Sequence, residues 1–195
     1  MARSQWKVLR RLTLRDVQRR RPDIAKRLAP VISDLDPLVH TVYPVVMEQA
    51  GAREKTPVPR PECTVHWLVH PSLSRECARL EARGHIHAIE EWIRSDAHRC
   101  TRWLKENELY ASERWKMLND KDQAFFRDKG WDLRFKNAGI GGIRGWRTRP
   151  DADAPVTPLV KLKCLHLHLA NLLAAGESIA GECSLAHILK SKSGK

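Results

Sequence analysis

Residues 163–173 read KCLHLHLANLL, which places Cys164, His166 and His168 at alternate positions among leucines. A thiolate and a neutral imidazole are both good zinc ligands, and a tetrahedral site takes three or four such groups. The segment supplies two or three, so the rest must come from elsewhere, with His40, His66 and His70 of the right type. A second chemistry competes. Cys164 near a helix N-terminus, beside Lys161 and Lys163, is a candidate nucleophile with His168 as its base. The third alternative is chemically silent: a semi-buried thiol and two histidines hydrogen-bonded to neighbours.

The element that carries the segment decides which side chains can meet. In a helix, Leu162, Leu165, Leu169, Leu172 and Leu173 gather on one side, Cys164 and His168 are i,i+4 neighbours, and His166 lies on the opposite flank. In a strand, Cys164, His166 and His168 would share one face. The downstream ANLLAAG, stopped by Gly176, favours helix, with the first few residues open to an extended form.

A glycine-rich stretch, AGIGGIRGWR, is the other chemical feature. Gly139, Gly141 and Gly142 would let backbone N–H groups approach an anion, and Arg144 and Arg147 add positive charge. It lacks the Gly-Lys-Ser/Thr ending of a P-loop and a complete GxGxxG after a strand. A turn that needs glycine for positive φ is the competing reading. Trp146 among those arginines offers a stacking surface for a base.

The elements that must position these groups can be read from pattern. His40–Gln49 is β-branched and aromatic, with Pro44 confining it to an edge or bulge, and Cys63–His70 is a second strand able to pair with it as an antiparallel hairpin. A helix is predicted from Pro71 to Gly84. Two more follow across residues 86–118, divided at Ser95-Asp96, and a short one capped by Asn119 or Asp120 runs to Gly130. From Gly130 to Pro158 the glycines and prolines predict a long loop.

The chain carries a net charge of +12, and residues 1–28 hold ten basic side chains against Asp16 and Asp23, a net of +8. Read as a helical arm, this segment suits RNA, an anionic membrane surface or an acidic protein partner, with Arg10, Arg11, Arg19, Arg20 and Arg21 as phosphate ligands. Its Arg-rich start also has the character of a mitochondrial presequence. No stretch approaches the ~20 apolar residues of a membrane helix. Five cysteines without a CxxC pair point to free thiols and a reducing compartment, cytoplasmic or mitochondrial.

The series HWLVHPSLSRECARLEARG, NAGIGGI and VKLKCLHLHLANLLAAGESIAG resembles the family catalogued as domain of unknown function 501, over about residues 38–182. The family's pattern centres on the Cys-His segment, which raises the weight on Cys164, His166 and His168, and it implies no activity. Where that pattern has Cys-Pro this chain has His70-Pro71, and a further family cysteine is absent with His40 close to its place. Histidine in place of cysteine keeps the capacity to bind zinc and loses the thiol. The resemblance therefore implies a metal site from His70, Cys164 and either His166 or His168, with His40 as a fourth ligand.

The resulting expectation is an α+β protein: a mostly helical single domain over 29–185 with a small antiparallel hairpin, a basic N-terminal helical arm over 1–28, and a flexible tail over 186–195. Its functional reading is a zinc-binding Cys/His site acting on an anionic ligand held by the glycine/arginine loop. The alternative is a basic module that binds RNA or a ribonucleoprotein without catalysis.

Overall fold

The computed structural model describes residues 6–32, 36–48, 57–143 and 159–193. Chain order begins with strand β1 (Val8–Leu12), helices α1 (Leu14–Arg20) and α2 (Pro22–Leu28), then strands β2 (Val39–Val42), β3 (Val45–Glu48), β4 (Val58–Pro61) and β5 (His66–Leu68). Helices α3 (Pro71–Ala82), α4 (His85–Arg94), α5 (Ala97–Lys116), α6 (Asp120–Asp128) and α7 (Asp132–Lys136) follow. A 3-10 turn at Ile140–Gly142 precedes α8 (Leu165–Ala175) and α9 (Ile179–Ser193). The protein is thus α+β and mostly helical, with small antiparallel sheets.

Pairing of the two predicted strand regions is real, but the first divides into two, and the partner of its second half, β4, lies ahead of the predicted Cys63–His70 strand. Val39–Val42 pairs with His66–Leu68, and Val45–Glu48 pairs with Val58–Pro61, both antiparallel. The break falls at Tyr43-Pro44, because proline has no N–H to donate to a ladder. The first ladder gains an outer strand that the composition of residues 1–28 concealed. β1 pairs antiparallel with β2, with Leu12 opposite Val39, and the sheet order is β1-β2-β5. The expected helix over the first residues is therefore a strand as far as Leu12, and helical only from Leu14. Leu12, Leu14, Val17, Ile24, Ala25 and Leu28 enter the main core, while Arg10, Arg11, Arg15 and Arg19 stay in water.

Helix boundaries follow local chemistry. Pro71 opens α3, where its missing N–H costs nothing. Asp96 caps α5 by accepting the Arg99 N–H at 2.8 Å, and Asn119 caps α6 by accepting the Asp122 N–H at 2.8 Å. The predicted long loop contains α7, whose Phe135 joins Phe126, Leu118 and Val45 in a second small core. Apart from half-buried His166, α8 is buried from Leu165 through Ala174 rather than along one stripe. It packs on β5, α3 and α9 and forms the centre of the molecule.

The C-terminal segment continues as α9 to Ser193, where a frayed tail was expected beyond residue 185. Ile179, Ala180, Leu185 and Ile188 anchor it in the core. Gly181 makes the close approach possible: a Cβ there would lie 2.4 Å from the His168 carbonyl oxygen and 2.9 Å from Leu172 Cβ.

Candidate metal centre

Cys164 is the N-cap of α8, in extended backbone at φ −162° and ψ 156°, so helical geometry begins only at Leu165. That one-residue offset changes which groups meet. A helix already running at Cys164 would pair it with His168; with Cys164 extended, its sulfur sits instead beside His166. The expected i,i+4 pair is therefore replaced by an i,i+2 pair, for which the alternation along KCLHLH is the right spacing.

The third member comes from α3. A sulfur of Cys164, a ring nitrogen of His166 and a carboxylate oxygen of Glu81 all lie within 4.8 Å of one another. Glu81 Oε1 accepts the Leu165 N–H at 2.6 Å and pairs with His166 Nδ1 at 2.9 Å. One carboxylate thus satisfies an orphan N–H of the first turn of α8 and lays negative charge at the positive end of its dipole. On the other side of the ring, His166 Nε2 donates to the Ser74 carbonyl at 3.0 Å. Both ring nitrogens face acceptors, so the ring is held as a cation. Hydrogen bonding to Cys164 and then to Glu81 outweighs burial and pushes its pKa up to about 9.

A metal ion held here would take the place of the Nδ1 proton, with the Nε2–H bond to Ser74 as the outer contact that fixes the tautomer. Thiolate, imidazole and carboxylate are a donor set zinc accepts, and the Glu81 and Cys164 charges would balance a divalent ion. The side chains of His166 and Glu81 are 26% and 23% exposed, so the cluster is open to solvent on one side. Cys77, on the same face of α3 as Ser74 and Glu81, is fully buried; burial, then Glu81 and Cys164, pushes its thiol up to about 12 and keeps it protonated.

The remaining sequence candidates sit elsewhere, each with its own partners. His70 caps α3, its Nδ1 accepting the Leu73 N–H at 3.5 Å, and burial lowers its pKa. His168 is 1% exposed, with Nδ1 3.5 Å from Ser178 Oγ and Nε2 without a partner among the described residues, and burial pushes its pKa down to about 4. His40 lies on β2 opposite Arg11 and Trp67, and burial and Arg11 lower its pKa. Among the described residues, the Glu81–Cys164–His166 cluster is the one grouping of three potential ligands, and none of these histidines joins it.

In the glycine stretch, Gly141 and Gly142 have φ of 73° and 76°, the left-handed region that the turn reading requires. Gly139 is needed for space, since a Cβ there would lie 2.1 Å from Asn107 Oδ1. Three of the N–H groups are committed within the fold: Gly139 to Ile143 O, Gly142 to Gly139 O, and Ile140 to Asn107 Oδ1. Arg144, Arg147 and Trp146 lie outside the described residues. Of the N-terminal arginines, Arg20 donates to the Ala174 carbonyl and Arg21 to the Gly176 carbonyl, so both cap the C-terminal end of α8. Arg10 reaches Asp16 at 3.1 Å, and Arg19 lies 4.0 Å from the same carboxylate.

Sequence reasoning missed Glu81 and Ser74. A usable signal existed: Ser74, Cys77 and Glu81 fall at i, i+3 and i+7 on the face of α3 that also carries Leu73 and Leu80. A carboxylate on an apolar helix face calls for a partner.

The profile of one protein family matches residues 35–186, described as a protein of unknown function (DUF501). The chain belongs to the DUF501 family. No curated protein and no solved structure matches it. The matched span contains Glu81, Cys164 and His166, whereas β1, α1 and α2 precede it.

Proposed function

We propose that this DUF501 protein binds a zinc ion through Glu81, Cys164 and His166. The observation that carries the reading is the convergence of the three donor atoms within 4.8 Å, with the His166 ring fixed through Ser74. Three protein ligands on a solvent-open face leave a fourth position for water or substrate, the arrangement of reactive rather than structural zinc. In this reading the Gly139 and Gly142 N–H groups do not hold substrate, because they already have partners.

Metal analysis of untagged full-length protein tests it. The expected result is about one zinc per chain, as the single three-ligand cluster among the described residues requires. Cys164→Ala and His166→Asn should each weaken zinc binding by 10–100-fold or more, on the order of what loss of a coordinating or supporting group causes. Protein that stays metal-free after zinc supplementation, or a Cys164→Ala variant that retains zinc at full affinity, overturns the proposal.

A second reading rests on a different observation. Arg10, Arg11, Arg15 and Arg19 are exposed on a folded β1–α1 unit, and positive charge carried on a folded element suits RNA phosphates. Substituting all four by glutamine should abolish salt-sensitive RNA retention. Retention that survives the substitution rejects this reading, and capture of an acidic protein without RNA reassigns the surface.

A further inference from the structure

The sheet β1-β2-β5 has two unlike faces. Leu12, Val39 and Leu68 lie opposite one another in register and turn towards the core, where α8 packs on β2 and β5. Side chains alternate along a strand, so the neighbouring row, Arg11–His40–Trp67, stands on the other face. Arg11 is exposed there, and His40 and Trp67 are half-buried. Trp6, just ahead of β1, stacks on Trp67 with ring centroids 4.1 Å apart and a tilt of 31°. We propose that this face is a stacking platform for the bases of single-stranded RNA, an inference that rests on the RNA reading of the basic segment.

The rings make the first argument. Trp67 Nε1 donates to the Thr64 carbonyl at 3.1 Å, which fixes the inner ring of the pair. One face of Trp6 is spent on Trp67, yet Trp6 remains 37% exposed, so its open area lies on the outer face and the edges. A π-surface is therefore in place before any ligand arrives, and every base has a π-face to lay on it.

Charge is the second argument. Residues 6–12, 38–43 and 64–69, the three strands with their flanks, contain Lys7, Arg10 and Arg11 and no aspartate or glutamate. Arg10 turns to Asp16, whereas Arg11 has no ion-pair partner among the described residues and is open to a phosphate. Two inter-strand steps of roughly 4.8 Å each separate Arg11 from Trp67, so one short strand can meet both with a phosphate and a base. His40, between them, carries ring nitrogens able to donate to or accept from a base edge. A lipid surface would use the same cations and the exposed Val8 and Leu9, but it has no use for a fixed ring stack.

Fluorescence anisotropy of the full chain with a labelled oligouridylate of about 12 nucleotides tests the assignment. An abasic strand of the same length and charge should bind more weakly by roughly 5- to 150-fold, the loss of about one stacked base. Trp6→Leu keeps an apolar group on Trp67 without the outer ring. It should weaken oligouridylate binding over the same range and leave the salt slope unchanged, whereas Trp6→Phe, which restores a ring, should bind almost as the parent does. Arg11→Gln should instead reduce the salt slope by about 0.7, one phosphate contact. Should Trp6→Leu fail to fold, the abasic strand reads the same contribution on unaltered protein. Salt-sensitive binding that Trp6→Leu leaves at full strength, or an abasic strand bound as tightly as oligouridylate, overturns the platform and leaves the RNA reading standing. Oligouridylate that shows no salt-sensitive binding removes both. Binding to phosphatidylserine vesicles without binding to the oligonucleotide assigns the face to a membrane and overturns the proposal.

Discussion

At the scale of single residues, burial of histidine makes the clearest prediction. His168 is held neutral, with a folded pKa near 4 against an ordinary value of 6.5. The unfolded chain therefore binds a proton that the folded chain refuses between those values, and stability is lost as pH falls from 6.5 towards 4. His168→Leu removes that proton site and an unpartnered buried Nε2 together. Its melting temperature should fall less than that of the parent across this interval, while His66, shifted the same way, retains part of the acid sensitivity. Parallel curves for the two proteins would show that His168 does not set the acid limb. The sequence made the Cys-His spacing visible but not the choice between His166 and His168. That choice hangs on whether α8 starts before or after Cys164, and the deciding group is Glu81, which accepts the Leu165 N–H from 84 residues away. No local pattern around Cys164 contains that acceptor.

At the scale of elements, what was legible had a local cause. The break at Ser95-Asp96, the Asn119 cap and the stop at Gly176 are written in side-chain caps and a positive-φ glycine, so α4, α5, α6 and the end of α8 were expected where they occur. Asp96→Ala should cost about 0.5–2 kcal/mol in chemical denaturation, the usual range for loss of an N-cap acceptor. Elements set by tertiary contact were not legible. α9 mixes Gly181 and Ser184 into its apolar positions, which weakens its periodicity, and only its packing on α8 explains those small residues. Gly181 separates two opposing effects. Helix propensity favours Gly181→Ala by roughly 0.8–1 kcal/mol. The new Cβ would meet the His168 carbonyl at 2.4 Å, and backbone inside a buried helix cannot rotate away, so overpacking of about 1–3 kcal/mol opposes it. Steric cost should win, and urea denaturation should show a less stable protein. An unchanged or raised midpoint would mean that α9 can lift from α8 without loss.

At the scale of the molecule, the basic N-terminal segment changes character. Its charge made a detachable arm the natural expectation, yet Leu12, Leu14, Val17, Ile24, Ala25 and Leu28 are apolar and buried, and Arg10, Arg11, Arg15 and Arg19 project outward from that framework. Composition registers the arginines; the strand partner that covers Leu12 is β2, beyond the two intervening helices, and no short window of sequence contains both. The span matched by the family begins at residue 35, so β1, α1 and α2 add a strand and two helices to the sheet side of the matched region. Deletion and charge removal should then have different consequences. Removing residues 1–28 strips Leu12, Leu14, Val17, Ile24 and Leu28 from the core, at roughly 1.5–3 kcal/mol for each large apolar side chain, a total comparable to the ~5–15 kcal/mol stability of a typical domain. The deleted protein should lose its cooperative thermal transition and near-ultraviolet circular dichroism. The Arg10, Arg11, Arg15 and Arg19 to glutamine variant alters exposed groups and should melt within a few degrees of the parent, since surface substitutions usually change stability by no more than about 0.5 kcal/mol. If instead the deletion melts cooperatively at the parental temperature, the pairing of β1 with β2 contributes nothing to the body's stability, and the basic segment acts as a separate arm after all.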